Sequence, residues 1–278
     1  MNLQQYTPQM IRSMNYNQII GLVRETNRTP GGNQSVFEIA RRTYLDRESH
    51  ALDIGTSTGA TALELSRLVG CKVIGLDINA PSIEEARRRA KALGVRRVSF
   101  RKGNATRLPF PDETFDLVFC GNVTSLIEDK NMALSEYSRV TKRGKYIAAI
   151  PMYYVSPPPA AIVNGVRRAI AVDIPVSYRD QAVGLYQRPG LELYDAMDYR
   201  FRRIDDNQVL THVDQILKQD HLTELPRPTF EELRKVYQAH MLLFRENLSF
   251  MGYSIVILRR TNFFEDPELF TAIRVPVP

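Results

Sequence analysis

LDIGTSTGATALELSRLVG, residues 52–70, reads as a buried strand that ends on an acid, turns through two glycines and runs into a helix. Gly55 and Gly59 let the backbone come close to a ligand, and the helix that opens behind them presents unpaired N–H groups at its start. Such a turn suits any nucleotide. Gly55, Ser57 and Ala60 even form a degraded dinucleotide fingerprint. Asp53 helps separate the readings, because a carboxylate directly before the turn would repel a pyrophosphate and welcome an ammonium group.

Outward from this stretch, short β-branched runs alternate with amphipathic segments: HALDIG at 50–55, KVIGLDIN at 72–79, VSFRKGN at 98–104, FDLVFC at 115–120 and KYIAAI at 145–150. Parallel strands need crossover helices and are buried on both faces, so this alternation predicts βαβ units and a parallel sheet. Local punctuation agrees. Ser82 and Glu85 behind Pro81 read as a capping box, Gly70 and Gly94 as helix stops, and Lys142, Arg143 and Gly144 as the close of a third helix. Asp77 ends the second strand, where a carboxylate can accept from both hydroxyls of a ribose.

Together, LDIGTSTG, GLDIN, GNATRLPFPDETFDLVF (103–119) and RVTKRGKYIAAI (139–150) resemble the class I S-adenosylmethionine-dependent methyltransferases, particularly those acting on small molecules. The resemblance covers roughly residues 50–150. It implies an α/β fold: a Rossmann-like, mostly parallel seven-stranded sheet flanked by helices, with an N-terminal helical appendage and a helical cap inserted after the fifth strand. It also implies S-adenosylmethionine as cofactor and S-adenosylhomocysteine as product. Carried over by position, Gly55, Thr56, Ser57 and Gly59 would hold the methionine side beside Asp53, with Asp77 on the ribose and Ile78 on the adenine. Asn104 and Ala105 would lie at the adenine amino edge, and Asn122 and Val123 would line the reaction cavity. Two positions depart from the family pattern: Ser57 replaces its central glycine, and Asn104 replaces an acid.

The chain divides accordingly into a cofactor-binding core at 46–150 plus 250–262, a helical cap and substrate region at 1–45 and 151–249, and a tail at 263–278. Residues Pro8 to Leu45 carry helical spacing in two pieces broken at Asn27 to Asn33. After SPPPA at 156–160, helices are expected near 160–171, 207–219 and 229–247. GYSIVILRR at 252–260 is expected to return to the sheet, and a further strand near Tyr199 to Ile204.

Methyl transfer from a sulfonium is an in-line displacement, so the protein mainly aligns the reactants and excludes water. No metal is expected. Family members that use one place carboxylates after the fourth strand, where this chain has Cys120, Gly121 and Asn122. Candidates for a base are His212, His221 and His240, and Tyr153 and Tyr154 could face the sulfonium or the acceptor. Tyr16 could close over the cofactor, with core packing as the competing role. Arg167, Arg168, Arg179, Arg188, Arg200, Arg202 and Arg203 would suit an anionic acceptor.

Composition bounds the rest. The formal charge of +6 would allow an RNA partner, but the basic residues are scattered along helices, and CGNVTS lacks the motif of base-amine methylation. Nucleic acid is therefore disfavoured. No apolar run approaches the length of a membrane span, and Cys71 and Cys120 lie in apolar runs as expected of reduced, buried thiols, so a cytoplasmic protein without a membrane partner is expected. A homodimer stays open. The leading reading is metal-independent transfer of a methyl group to an O or N atom of a small molecule, such as a specialised metabolite. The alternatives are an RNA methyltransferase, a non-catalytic S-adenosylmethionine-binding protein and, more distantly, a nicotinamide oxidoreductase.

Overall fold

The computed structural model describes residues 3–261, and the tail expected at 263–278 lies outside the described residues. The chain opens with three short helices, α1 (Pro8–Ser13), α2 (Tyr16–Leu22) and α3 (Gly32–Arg42). Strands and helices then alternate: β1 (His50–Ile54), α4 (Ala60–Val69), β2 (Lys72–Asp77), α5 (Ala80–Ala92), β3 (Val98–Lys102), β4 (Phe115–Cys120), α6 (Lys130–Val140) and β5 (Thr141–Ala149). Beyond them come β6 (Met152–Tyr154), α7 (Ala160–Ile170), α8 (Arg179–Gly184), β7 (Leu191–Arg200), α9 (Asp206–Ile216), α10 (Arg227–Leu248) and β8 (Met251–Arg260).

All eight strands form one sheet. Strands β3, β2, β1, β4 and β5 lie side by side in parallel, and β8 pairs antiparallel with β5. The short β6 pairs with the start of β8, beyond the stretch that pairs with β5, and β7 covers the other edge of β8. The eighth strand is thus a three-residue addition to the seven expected. The alternation of side chains explains the layering. From β1 and β4, Ala51, Leu117 and Phe119 pack with α3, α4 and α5, while Leu52, Ile54 and Val118 pack on the opposite face with α6 and α8. A third cluster stands apart from the sheet: Ile11, Ile19, Val23, Val209, Val213, Leu233 and Tyr237 join α1, α2, α9 and α10 into the helical cap.

Several local readings need correction. The last sheet strand inside the insertion runs over Leu191–Arg200, upstream of the stretch expected near Tyr199 to Ile204, because its full length pairs with β8. Helix α5 is capped by Asn79, whose side chain accepts from the Ser82 backbone N–H, so Ser82 and Pro81 already lie inside the first turn. Glu85 serves instead as the partner of Arg88 and Arg89. Lys142, Arg143 and Gly144 belong to β5, in a bulge between the pairs Phe115–Thr141 and Leu117–Tyr146, and the +71° φ of Gly144 fits that bulge. Gly70 does cap α4, at φ +77°.

Gly59 holds the crossing of α4, α5 and β3. Its φ is +85°, and a β-carbon there would come within 2.7 Å of the Phe100 ring and 2.9 Å of Ala86. Gly94 has a comparable φ of +65° with open space around it. G59A is expected to lower unfolding free energy by about 2–4 kcal/mol, against about 1 kcal/mol for G94A, where only the backbone conformation is penalised. Urea denaturation of the two variants measures the difference.

Candidate functional site

The C-terminal tips of β1, β2 and β4 open into one cavity of about 1680 Å³, roofed by the helical cap. Ligands in open α/β sheets bind at this edge, where the strands end and the helices begin. Asp53, at the tip of β1, is 2 % exposed. Its Oδ2 accepts from the Thr56 hydroxyl at 2.6 Å, and burial pushes its carboxyl up to about 7, with the nearby Asp77 charge adding to the rise. At the tip of β2, Asp77 accepts from the Ser57 N–H at 2.9 Å and from the Asn79 N–H at 2.8 Å. The carboxylate thereby orders both the glycine turn and the start of α5.

Gly55 and Thr56 both donate backbone N–H bonds to the Leu76 carbonyl, and a β-carbon on Gly55 would come within 2.6 Å of Val123. Ser57 adopts φ +50°, in the left-handed region that favours glycine. Its hydroxyl receives a hydrogen bond from Asn27 Nδ2 at 3.3 Å.

Asn27 belongs to a strap formed by residues 24–31, of which residues 27–31 line the cavity. Arg89 of α5 pins that strap, donating to the Arg24 carbonyl at 2.7 Å and to the Thr26 hydroxyl at 2.9 Å. Thr29 faces the cavity beside Gly121, and its Oγ1 is buried without a hydrogen-bond partner.

Most of the residues proposed from sequence meet here: Asp53, Gly55, Thr56, Ser57, Asp77, Ile78, Asn104, Ala105, Asn122 and Val123 all line the cavity, as do Tyr16, Tyr153, Tyr154 and His212. Ile78 is 68 % exposed at the β2 tip. Asn104 folds its Oδ1 back onto the Thr106 N–H, and Asn122 approaches Met152. Gly59 does not line the cavity; its close neighbours are Phe100 and Ala86.

Two of the histidines fall away. His221 bonds the Leu22 carbonyl at 2.9 Å, and His240 packs on Tyr16 and Phe244; neither lines the cavity. Of the seven insertion arginines proposed from sequence, Arg167 lines it, tied to the Ile174 carbonyl and to Asp173, and Arg245, which was not among them, lines it as well and pairs with Asp206. Arg179 pairs with Asp198, Arg188 bonds Asn131, and Arg168, Arg200, Arg202 and Arg203 are exposed. Sequence reading missed the strap residues Glu25, Asn27, Arg28 and Thr29. Their stretch carried only a turn signal, and their partners lie tens to hundreds of residues away.

Residues 52–149 match the profile of a family described as a methyltransferase domain. An uncharacterised protein of Haemophilus influenzae is 26 % identical over 174 residues, which are 62 % of this chain and 69 % of that protein. A demethylmenaquinone methyltransferase of Lactiplantibacillus plantarum is 37 % identical over 110 residues, 38 % of this chain and 46 % of that enzyme, so the match spans less than half of its length. Among solved structures, the MccD protein superposes with a TM-score of 0.70 at 20 % identity, over 84 % of this chain and all of that one.

The raised carboxyl of Asp53 has a consequence for stability. An acid whose folded value lies above its ordinary one favours the folded state while it is protonated. That advantage is complete below about 4 and is lost as pH rises through about 7. Asn cannot ionise and can still accept from Thr56. The ligand-free D53N variant is therefore expected to be more stable than wild type at pH 8, by about 1–3 kcal/mol, and to approach it at pH 4. Thermal melts across that range test the crossing.

Proposed function

We propose that this chain, whose residues 52–149 match a methyltransferase-domain family, is a class I S-adenosylmethionine-dependent methyltransferase that transfers a methyl group from S-adenosylmethionine to a small, chiefly apolar acceptor held under the helical cap. The observation that carries this reading is the single cavity that runs from two strand-tip carboxylates into an apolar chamber.

The residues present fit the cofactor. Asp53 is a buried acid with no cationic partner among the described residues, and an ammonium group would supply one. The orphaned Thr29 hydroxyl offers a further polar contact. Asp77 sits where a ribose would be gripped, and exposed Ile78 offers an apolar face to a base. S-adenosylmethionine supplies an electrophilic methyl group on sulfur. The chain's own part is to align that group with the acceptor and to keep water out.

Binding sites for one drug-sized ligand occupy about 300–1,000 Å³, so this cavity has room for a second molecule. The far chamber is walled by Val163, Val166 and Ile170 of α7, by Met241, Phe244 and Leu248 of α10, and by Phe201 and Ile204. Tyr153 and Tyr154 close the floor. Their phenols are tied to Asp198 and to Asn247, and burial raises both above the usual phenol value. Such walls select by apolar shape. Arg167 and Arg245 line the cavity already paired with Asp173 and Asp206, so an acidic group on the acceptor would meet Arg28, which lines the cavity and has no ion pair among the described residues.

Calorimetry with S-adenosylhomocysteine tests the cofactor half. Wild type should bind it and D53N should bind at least about tenfold more weakly, with S-adenosylhomocysteine at a hundredfold over its dissociation constant stabilising wild type by about 2.7 kcal/mol. Equal stabilisation by NAD would reject the assignment. A methyl-labelled donor incubated with metabolite extract and the protein should label an organic-soluble product.

A further inference from the structure

Behind the cavity wall, three side chains from distant parts of the sequence share one hydrogen-bonded cluster. Tyr237 of α10 donates its O–H to Glu25 Oε2 at 2.7 Å, and His212 of α9 places Nε2 3.2 Å from Glu25 Oε1 and 3.3 Å from the Tyr237 oxygen. The tautomer follows by counting protons. A phenol has one hydrogen, and here Glu25 receives it. Burial together with the Glu25 charge holds Tyr237 far above the usual phenol range, so that hydrogen stays in place. The contact from His212 Nε2 to the carboxylate and the phenol oxygen must then be served by an N–H on Nε2. A neutral imidazole carries only one such hydrogen, which leaves Nδ1 with its lone pair. Among the described residues Nδ1 has no hydrogen-bond partner, and the side chain is 43 % exposed where it lines the cavity.

Position supports a use for that lone pair. The Glu25 carbonyl lies 3.5 Å from Thr58 Oγ1, and Asn27 reaches Ser57, so the cluster stands against the glycine turn at the cofactor end. The other groups of the cavity are less suited to accept a proton. Asp53 and Asp77 are committed to the turn, Asp129 caps α6, Glu128 is exposed, and burial raises the phenols of Tyr16, Tyr153 and Tyr154. His212 is the one histidine of the chain's four that lines the cavity.

Resting on the methyltransferase reading, we propose that His212 is the catalytic base for a hydroxyl acceptor, with Glu25 and Tyr237 as positioning residues that fix its tautomer. As the methyl group moves, the O–H bond of the acceptor breaks and its proton passes to Nδ1. The oxygen–methyl bond forms while the methyl–sulfonium bond breaks, leaving a neutral thioether and an imidazolium. The Glu25 carboxylate stabilises that imidazolium. An uncharged amine acceptor would need no base before transfer, so a poised imidazole favours oxygen.

The test uses the full chain, methyl-labelled S-adenosylmethionine and an organic extract of the source cells. H212A should reduce the initial labelling rate by about 100-fold or more. Its S-adenosylhomocysteine affinity should stay within about twofold of wild type, and added imidazole should restore part of the rate. E25Q should lower kcat by about tenfold with little change in KM. Independently of any acceptor, nitrogen NMR of the imidazole should show Nε2 protonated and Nδ1 bare in wild type. A proton on Nδ1, an unaltered rate in H212A, or a loss of cofactor binding in that variant would overturn the assignment. A wild-type protein that binds S-adenosylhomocysteine yet labels nothing would overturn methyl transfer itself and the base with it, whereas the NMR result bears on the cluster alone.

Discussion

The site depends on the parallel pairing of β1 between β2 and β4. Register sets Asp53 opposite Gly75 on one side and Phe119 on the other, with Ile54 opposite Leu76 and Cys120. Because parallel strands all end at one edge, this pairing alone gathers the tips that carry Asp53, Asp77 and Asn122. Gly75 is required by the same packing: a β-carbon there would come within 2.6 Å of the Phe100 ring and 2.7 Å of the Thr56 hydroxyl. The turn that follows β1 is therefore shaped by β2 from below, before any ligand contributes.

The burial of Asp53 opposes folding and would favour binding of a cationic group. A carboxylate without a cation, out of water, raises the free energy of the ligand-free state, and an ammonium partner removes part of that penalty. Active sites commonly hold such unfavourable groups in place by the stability of the surrounding scaffold. Here the scaffold is the pair of apolar layers on either face of β1, in which Leu52, Ile54, Val118 and Leu117 are fully or almost fully buried. Each such side chain contributes about 1.5–3 kcal/mol, enough in combination to hold one strained acid.

How much was legible in the sequence follows from the range of the contacts involved. Strands β1 to β5 were readable because each element signals itself locally, through apolar runs, glycine stops and acids at strand ends. Asp53, Asp77 and the turn after Asp53 share one βαβ unit, so their grouping was readable too. Strand β7 was placed too late because its burial is incomplete and its sequence, LELYDAMDYR, mixes charge with apolar residues; only pairing with β8 makes it a strand. Asn79 was overlooked as a cap because Ser82 and Glu85 have the same spacing as a capping box. The cluster of Glu25, His212 and Tyr237 leaves no local trace, since its members are joined by contacts across 187 and 212 positions of chain.

The strap shows how one departure from the family pattern can be absorbed. Serine in the left-handed region costs about 1–2 kcal/mol relative to glycine, and Ser57 keeps that conformation at φ +50°. Its side chain gives Asn27 an acceptor that glycine would lack, and its backbone N–H still reaches Asp77. The same loop thus binds the floor of the cavity through its backbone and the roof through its hydroxyl. Arg89 fixes the strap from the α5 side, while Glu25 hands its far end to His212 and Tyr237 of the cap. The sheet and the helical cap have separate apolar cores, so their relative placement rests in part on this polar segment. A substitution at position 57 would therefore act on the geometry of the cap, far from the cofactor contacts that the family pattern assigns to that position.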